Sequence, residues 1–346
     1  MQPSVVQPAI ELHEAVLRDN ARAWRRHAGV PVWAVVKAAG YGWGALRVAQ
    51  ALRQDVEGFF VADGEEAREL RRASDKPVAV FAASDAAETV ALLDDDITPN
   101  ISALDALAAA LAWGARAGRP ARIRVGVLPA AGWSGLLEHA IVPFARAAAA
   151  GPLEVELWTH LTVPSLEAIQ RERFARALAI FKAAGVRIAA TDVASTFTSA
   201  REGASAESRV RIGIGLFGAN GDGAGPKLGC AIRIEAPVVA VLPSSAVEAA
   251  GYREPQTFSE PWLAVVRCGY ADGLPARLGG SGKFASVGMQ YAVLSRREPV
   301  QIGEILRLLD TTDDLSSFLT SAGISPHEFV VGFQGRSRES SLSQRR

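Results

Sequence analysis

The chain has 346 residues, 49% of them apolar and 21% charged, with 37 basic side chains balanced by 37 acidic ones. That is a globular composition, long enough for one large domain or two ordinary ones, and the absence of net charge argues against nucleic acid or an anionic membrane as the main partner. Two cysteines, Cys230 and Cys268, make neither a disulfide framework nor a metal site, so no metal is expected.

The amino terminus, Met1-Gln2-Pro3-Ser4-Val5-Val6, has no basic segment leading into an apolar core, and no apolar run is long enough to span a bilayer. A cytoplasmic protein is the expectation. Pro31 to Val36 reads as a strand of β-branched and aromatic residues; it ends on Lys37, then breaks at Gly40, Gly42 and Gly44 before a helical pattern from Ala45. A lysine closing a buried strand has two readings. It snorkels past the strand end, or its amine sits partly desolvated as a nucleophile able to form a Schiff base.

The alternation continues. Strands are expected at 56–61, 78–81, 97–101, 122–127, 153–160, 186–190 and 210–216. Helices are expected at 63–72, from about 86, at 103–117 with Ser102 as a cap and a break at Trp113-Gly114, and at 165–184. This rhythm suits a (β/α)8 barrel, with a doubly wound open sheet as runner-up. From about Lys227 the pattern becomes short β runs (231–234, 238–241, 262–266, 284–287, 292–294) separated by Gly, Pro and Ser, which reads as a second, mostly β domain. The expected division is 8–220 for the barrel, a linker at 221–226, 227–334 for the β domain and a polar, disordered tail at 335–346.

Gly213-Ile214-Gly215-Leu216-Phe217-Gly218 fits G-x-G-x-x-G, but Ala219-Asn220-Gly221 is a poor helix start, so a dinucleotide fold is not expected. Glycines after a late barrel strand still let backbone N–H groups approach a phosphate. Arg211 points into the barrel mouth or pairs on the surface with Glu207. His160, ending a strand, is a site residue or a structural histidine. Ser195 follows a strand as a ligand or an ordinary cap.

The segment Val35-Val36-Lys37-Ala38-Ala39-Gly40-Tyr41-Gly42-Trp43-Gly44 resembles the pyridoxal-phosphate motif of the alanine racemase family, V-K-A-N-A-Y-G-H-G, with Ala39 for Asn and Trp43 for His. Cys268-Gly269-Tyr270-Ala271-Asp272-Gly273 resembles that family's G-Y-A-D-G; without the resemblance it is simply a turn. The resemblance decides for an eight-stranded barrel followed by a mostly β domain. It implies a pyridoxal 5'-phosphate enzyme, a homodimer with shared active sites and an amino-acid substrate.

By the same resemblance Lys37 carries the cofactor and Tyr41 and Ser195 hold its phosphate with Gly213 and Ile214. His160 stacks on its ring, and Arg211 faces the pyridine nitrogen. Tyr270 from the partner subunit is the second base opposite Lys37, and Met289 meets the substrate carboxylate. Trp133 stands where the family has a carboxylate-steering arginine, Ala194 and Gln290 replace an Asn and an Asp, and the family's late tyrosine has no counterpart after Tyr291. The implied activity is two-base racemisation. The alternatives are another amino-acid reaction on the same scaffold (epimerisation, decarboxylation or aldol cleavage) and cofactor binding without turnover.

Overall fold

The computed structural model describes residues 7–128, 135–161, 164–203, 207–221, 224–251 and 254–333. The strand β1 (Ala9–Leu12) is followed by the helix Glu14–Ala28 and then by eight parallel strands: β2 (Val32–Val35), β3 (Gly58–Val61), β4 (Val78–Ala83), β5 (Ile97–Asn100), β6 (Ala121–Gly126), β7 (Leu153–Trp158), β8 (Ile188–Asp192) and β9 (Val210–Ile212). They pair in the order β8-β7-β6-β5-β4-β3-β2-β9. The seam between β8 and β9 carries no ladder, yet just before β9 the Ser208 N–H donates to Thr191 O at 3.1 Å and the Thr191 N–H donates to Ser208 Oγ at 2.7 Å. The result is a nearly closed (β/α)8 barrel.

Local sequence explains these elements. Val32–Val35 and Gly58–Val61 are buried at every position, as parallel strands covered on both faces must be. Asp63 caps the helix Gly64–Arg71 by accepting from the Glu65 and Glu66 N–H groups, and Asp85 caps Ala86–Asp94 through the Glu88 N–H. The expected cap at Ser102 is not used: Ala103 takes the N-cap position of Leu104–Ala117 and makes no side-chain bond. Nor does Trp113-Gly114 break that helix, because Trp113 is buried and its indole N–H donates to Asp94 Oδ1 at 2.7 Å.

The second sheet is antiparallel. It contains β10 (Ile232–Pro243), β11 (Trp262–Val266), β12 (Phe284–Val287), β13 (Ala292–Arg296) and β14 (Ile305–Leu309), and β1 joins it beside β10. The separate runs expected at 231–234 and 238–241 are one strand: β10 continues through Pro237, with register shifts on either side of it, between Ile234 and Glu235 against β14 and between Val238 and Ala240 against β11. Two short helices, Leu315–Thr320 and Pro326–Val331, follow β14. The expected tail at 335–346, and Asp222 and Gly223 of the expected linker, lie outside the described residues.

The barrel interior is not purely apolar. Arg124 on β6, Glu156 on β7, Asp192 on β8, Arg211 on β9 and Arg209 just before β9 are all buried. Their guanidinium groups lie over aromatic faces of other strands: Arg124 over Phe60 (4.3 Å), Arg209 over Trp33 (4.2 Å), Arg211 over Trp158 (5.1 Å). Charges from four strands therefore meet inside the barrel, directly beneath the loops that carry the candidate site.

Candidate active site

Lys37 lies just past the C-terminal end of β2, the end at which barrels build their sites. The chain then makes a left-handed turn: φ is 54° at Ala38, 52° at Ala39, 65° at Gly40 and 58° at Tyr41. For L-residues such a turn costs roughly 1–2 kcal/mol per residue. It is held by backbone bonds of 2.8 Å from Gly40 to Val36 O, Gly42 to Ala38 O and Gly44 to Ala39 O, and by Glu66 Oε1, which accepts from the Ala39 N–H at 3.1 Å. Strain of this kind persists where surrounding structure over-determines it, commonly at functional sites. Its consequence here is geometric: the turn folds the Tyr41 side chain inward, where it is buried against Phe217 with ring centroids 5.3 Å apart.

The Tyr41 hydroxyl reaches Gly213, the residue after β9, so closely that a Cβ on Gly213 would collide with Tyr41 Oη. The Gly213 N–H donates to Thr196 Oγ1 at 3.3 Å, which draws in the helix Thr196–Glu202. Ser195 is the N-cap of that helix, but its hydroxyl makes no cap bond; it lies 3.5 Å from Thr198 Oγ1. Tyr41, Ser195, Gly213 and the buried Ile214 thus come together from three separate segments. Gly213–Gly218 forms a 3-10 turn over Ile214–Phe217, closed by Gly218 at φ 110°, and among the described residues no α-helix follows it directly, the helix that a dinucleotide fingerprint requires.

Arg211 is 3% exposed and does not form the surface pair with Glu207 that the sequence allowed. Its Nη1 lies 3.0 Å from Asp192 Oδ1, and its Nη2 donates to Thr159 O at 2.8 Å and Val193 O at 3.3 Å. Glu207 instead accepts from the Val193 and Ala194 N–H groups at 3.2 and 3.1 Å. Burial alone would raise the Asp192 carboxyl, but Arg124, Arg211 and Arg209 together hold it below its ordinary range. Burial pushes Arg211 down to about 10, still far above neutrality, so it remains a cation. His160, after β7, is pushed down to about 3 by burial and then by the charges of Arg211 and Lys37, which makes it a neutral imidazole at neutral pH.

Tyr270 and Met289 lie in the second sheet's loops, 44% and 58% exposed. The Tyr270 N–H donates to Gly288 O and the Ala271 N–H to Met289 O, both at 2.9 Å. A Cβ on Gly269 would strike both carbonyls, which explains a glycine there. Asp272 ties the turn down by accepting from the Gly269 N–H (3.1 Å) and from Arg267 Nη1 (2.9 Å). Trp133 lies outside the described residues. Sequence reading missed Asp192, which carries no motif and is joined to Arg211 only by barrel closure. It also missed His327, on the last helix, whose ring lies 6.1 Å from that of Tyr41.

Residues 12–221 match the model of the alanine racemase N-terminal domain, and residues 231–338 match that of the alanine racemase C-terminal domain. The chain belongs to the alanine racemase family. An alanine racemase of Beutenbergia cavernae is 32% identical over 288 residues, covering 77% of this chain and 75% of that protein; one from Streptococcus pneumoniae is 31% identical over 279 residues, covering 76% and 74%. Among solved structures, the alanine racemase of Streptomyces coelicolor aligns with a TM-score of 0.79 at 23% identity, over 96% of this chain and 97% of that one. The Bartonella henselae alanine racemase with covalently bound pyridoxal phosphate aligns at 0.77 and 21%, over 97% and 99%.

The alanine racemase family is one of pyridoxal-phosphate enzymes, and the residues here fit that group on two observations. The Tyr41 hydroxyl, which a Cβ on Gly213 would strike, and the hydroxyls of Ser195 and Thr196, the latter accepting from the Gly213 N–H, place donors suited to a phosphate just past the end of β9. Arg211 Nη1, although within ion-pair distance of Asp192, makes no aligned hydrogen bond among the described residues and keeps a buried N–H to offer.

Proposed function

We propose that this protein is a pyridoxal-phosphate-dependent amino-acid racemase, working by two bases in a site shared between two copies of the chain. The observation that carries the reading is that Lys37, just past β2, and the buried Arg211, an arginine with an N–H still to offer, both bear on His160. Lys37 would hold the cofactor through its amine, with Tyr41, Ser195, Gly213 and Ile214 at the phosphate, neutral His160 against the ring and Arg211 toward the pyridine nitrogen. Pyridoxal phosphate, when bound, supplies the electron sink that acidifies the substrate's α C–H.

The chain's own residues do the rest. Arg211 offers N–H donors and no atom that accepts a proton. It therefore gives the pyridine nitrogen no counter-anion that would keep it protonated. The weaker sink favours rapid return of the α-proton, and so racemisation over transamination. Racemisation needs one base on each face of the α-carbon. Lys37 Nζ serves one face. Tyr270 Oη of a second copy serves the other, a reading supported by its accessible place beside Met289 on a rigid turn, where the two can approach a neighbouring barrel together. Met289 would meet the substrate carboxylate there. Trp133, with an indole in place of an arginine fork, favours a substrate with an apolar side chain larger than that of alanine. No helix among the described residues is long and apolar enough to cross a membrane, and a cytoplasmic homodimer is the setting we propose.

The test combines trapping with a substrate panel. Borohydride should fix the cofactor to Lys37 in the wild type and leave no adduct in Lys37→Ala. L-alanine, L-leucine, L-methionine and L-serine are then incubated with each protein, and chiral chromatography should find D-enantiomer with the wild type alone. An adduct surviving on another lysine would overturn the assignment of Lys37. A trapped cofactor with no D-amino acid from any substrate would favour a different reaction or a binding protein.

A further inference from the structure

Glu66 stands three residues after Asp63, the N-cap of the helix Gly64–Arg71. At that spacing a glutamate ordinarily reaches back to the N–H of its own cap residue. Here both oxygens go elsewhere. Oε2 accepts from the N–H of Ala62, just past β3, at 2.9 Å, and Oε1 accepts from the N–H of Ala39, in the left-handed turn after β2, at 3.1 Å. β2 and β3 are parallel neighbours in the barrel, so one carboxylate ties together the segments that follow two adjacent strands.

The end of this tie on β3 is fixed by ordinary structure. Asp63 Oδ1 accepts from the Glu65 and Glu66 N–H groups, both at 3.1 Å, and Ala62 O accepts from the Ala82 N–H of β4 at 2.8 Å. The end on β2 is different. Ala38, Ala39, Gly40 and Tyr41 are left-handed in succession, whereas the residues that visit that region do so singly. Within the turn the N–H groups of Gly40 and Gly42 are held by Val36 O and Ala38 O, and that of Ala39 by Glu66. Lys37 therefore lies between two anchors: Val36, whose N–H donates to Phe60 O of β3 at 2.8 Å, and Ala39. Both anchors are supplied by β3 and the helix that follows it.

We infer that Glu66 is a positioning residue for Lys37: by holding the turn in its left-handed form, it sets the direction in which the lysine amine leaves the strand end and so its approach to the substrate's α-carbon. This rests on the reading of Lys37 as the cofactor's lysine and one of the two bases. Glu66 acts through the backbone of the turn and transfers no proton itself. A base displaced by about 1 Å from its line of approach loses much of its rate. Substrate binding does not depend on that line, so the effect falls on kcat.

The test compares Glu66→Ala and Glu66→Gln with Glu65→Gln, a control that removes the same charge from the neighbouring, exposed position. In the full-length protein without cofactor, amide hydrogen exchange over residues 36–44 should run roughly tenfold faster in Glu66→Ala, with β7 and β8 unchanged. Loaded with pyridoxal phosphate, the same variant should lose roughly ten- to a hundredfold in kcat with KM within about twofold of wild type, and the visible circular dichroism of the bound cofactor should change. Glu66→Gln keeps one accepting oxygen but turns an NH2 group toward the other N–H, so it should fall between the two. Glu65→Gln should match wild type throughout. Unchanged exchange over 36–44 in Glu66→Ala would overturn the inference. So would faster exchange with wild-type kcat and dichroism, or an equal loss of kcat in Glu65→Gln. If borohydride traps no cofactor on Lys37 in the wild type, the cofactor reading itself fails, a result distinct from any difference between the variants.

Discussion

Arg211 Nη1 and Asp192 Oδ1 face each other at 3.0 Å inside the barrel, both side chains at most 2% exposed. Asp192 also accepts from Arg124 at 3.1 and 3.2 Å and from Arg209 at 2.9 Å, while Glu156 takes bonds from Arg124 and Arg209. Three buried guanidinium groups thus share two carboxylates. Asp192 is the common partner of all three, and it orients the arginine assigned to the cofactor's nitrogen.

Replacing Asp192 with Asn would leave Arg124, Arg209 and Arg211 with Glu156 as their one remaining buried carboxylate in this cluster. Breaking a buried ion pair by removing one partner typically costs about 3–5 kcal/mol, because an uncompensated charge stays buried. Urea unfolding of Asp192→Asn should show a loss of that order, with the midpoint lowered and the slope unchanged. A loss below about 1 kcal/mol would mean that the arginines are satisfied without Asp192.

The cofactor end of the site could be read from sequence and this charged cluster could not, for a physical reason. Lys37, the glycines and Tyr41 are contiguous, because one strand end and one turn build the whole feature. Gly213 and Ile214 follow Arg211 at short range on one strand and turn. Asp192 on β8, Arg124 on β6 and Arg209 just before β9 belong to three separate segments far apart in the chain, and only barrel closure shows that they share one interior. His327 is a lone histidine in a carboxy-terminal helix, placed at the site by packing across the two sheets. Likewise Pro237 signals a break to a sequence reader, but paired register shifts let β10 pass through it.

The left-handed turn after Lys37 makes a prediction of the opposite sign to normal helix propensity. Ala39 is exposed at φ 52°, where a Cβ is a liability. Ala39→Gly relieves roughly 1–2 kcal/mol of strain and gives back about 0.4–1 kcal/mol in unfolded-chain entropy. A net gain of about 0.5–1 kcal/mol is expected, a rise of roughly 1–3 °C in Tm. Ala108→Gly, exposed in the helix Leu104–Ala117, should instead lose about 1 kcal/mol. Destabilisation of the same size at both positions would refute the strain.

The shared-site reading predicts complementation. A Lys37→Ala subunit and a Tyr270→Phe subunit should each be inactive as homodimers. In a heterodimer, one of the two sites would combine an intact Lys37 from one chain with an intact Tyr270 from the other. Activity per heterodimer should recover toward half that of the wild type. Verified heterodimers with no recovery would place Tyr270 in its own chain's site or outside the chemistry.

His160 makes the protein's acid sensitivity testable. Its folded-state pKa of about 3 lies below the ordinary value of 6.5. Between those limits the unfolded chain binds a proton that the folded one refuses, so stability falls as pH drops, by up to about 1.4 kcal/mol per pH unit. Burial lowers His327 as well, with the same sign. Glu207, raised by burial, contributes the opposite sign near its own range. His160→Gln removes one contribution and leaves the others in place. Urea unfolding of cofactor-free wild type and variant between about pH 7 and pH 5 stays above the range in which the unfolded chain protonates its carboxylates and the stabilisation from Asp192 and Glu156, both held low, begins to be lost. Over that window the wild type should lose stability more steeply than His160→Gln, so that the two curves converge or cross toward acid. Parallel curves would show that His160 is not held neutral by its burial and the charges of Arg211 and Lys37, and would remove the basis for placing it against the cofactor as an uncharged ring.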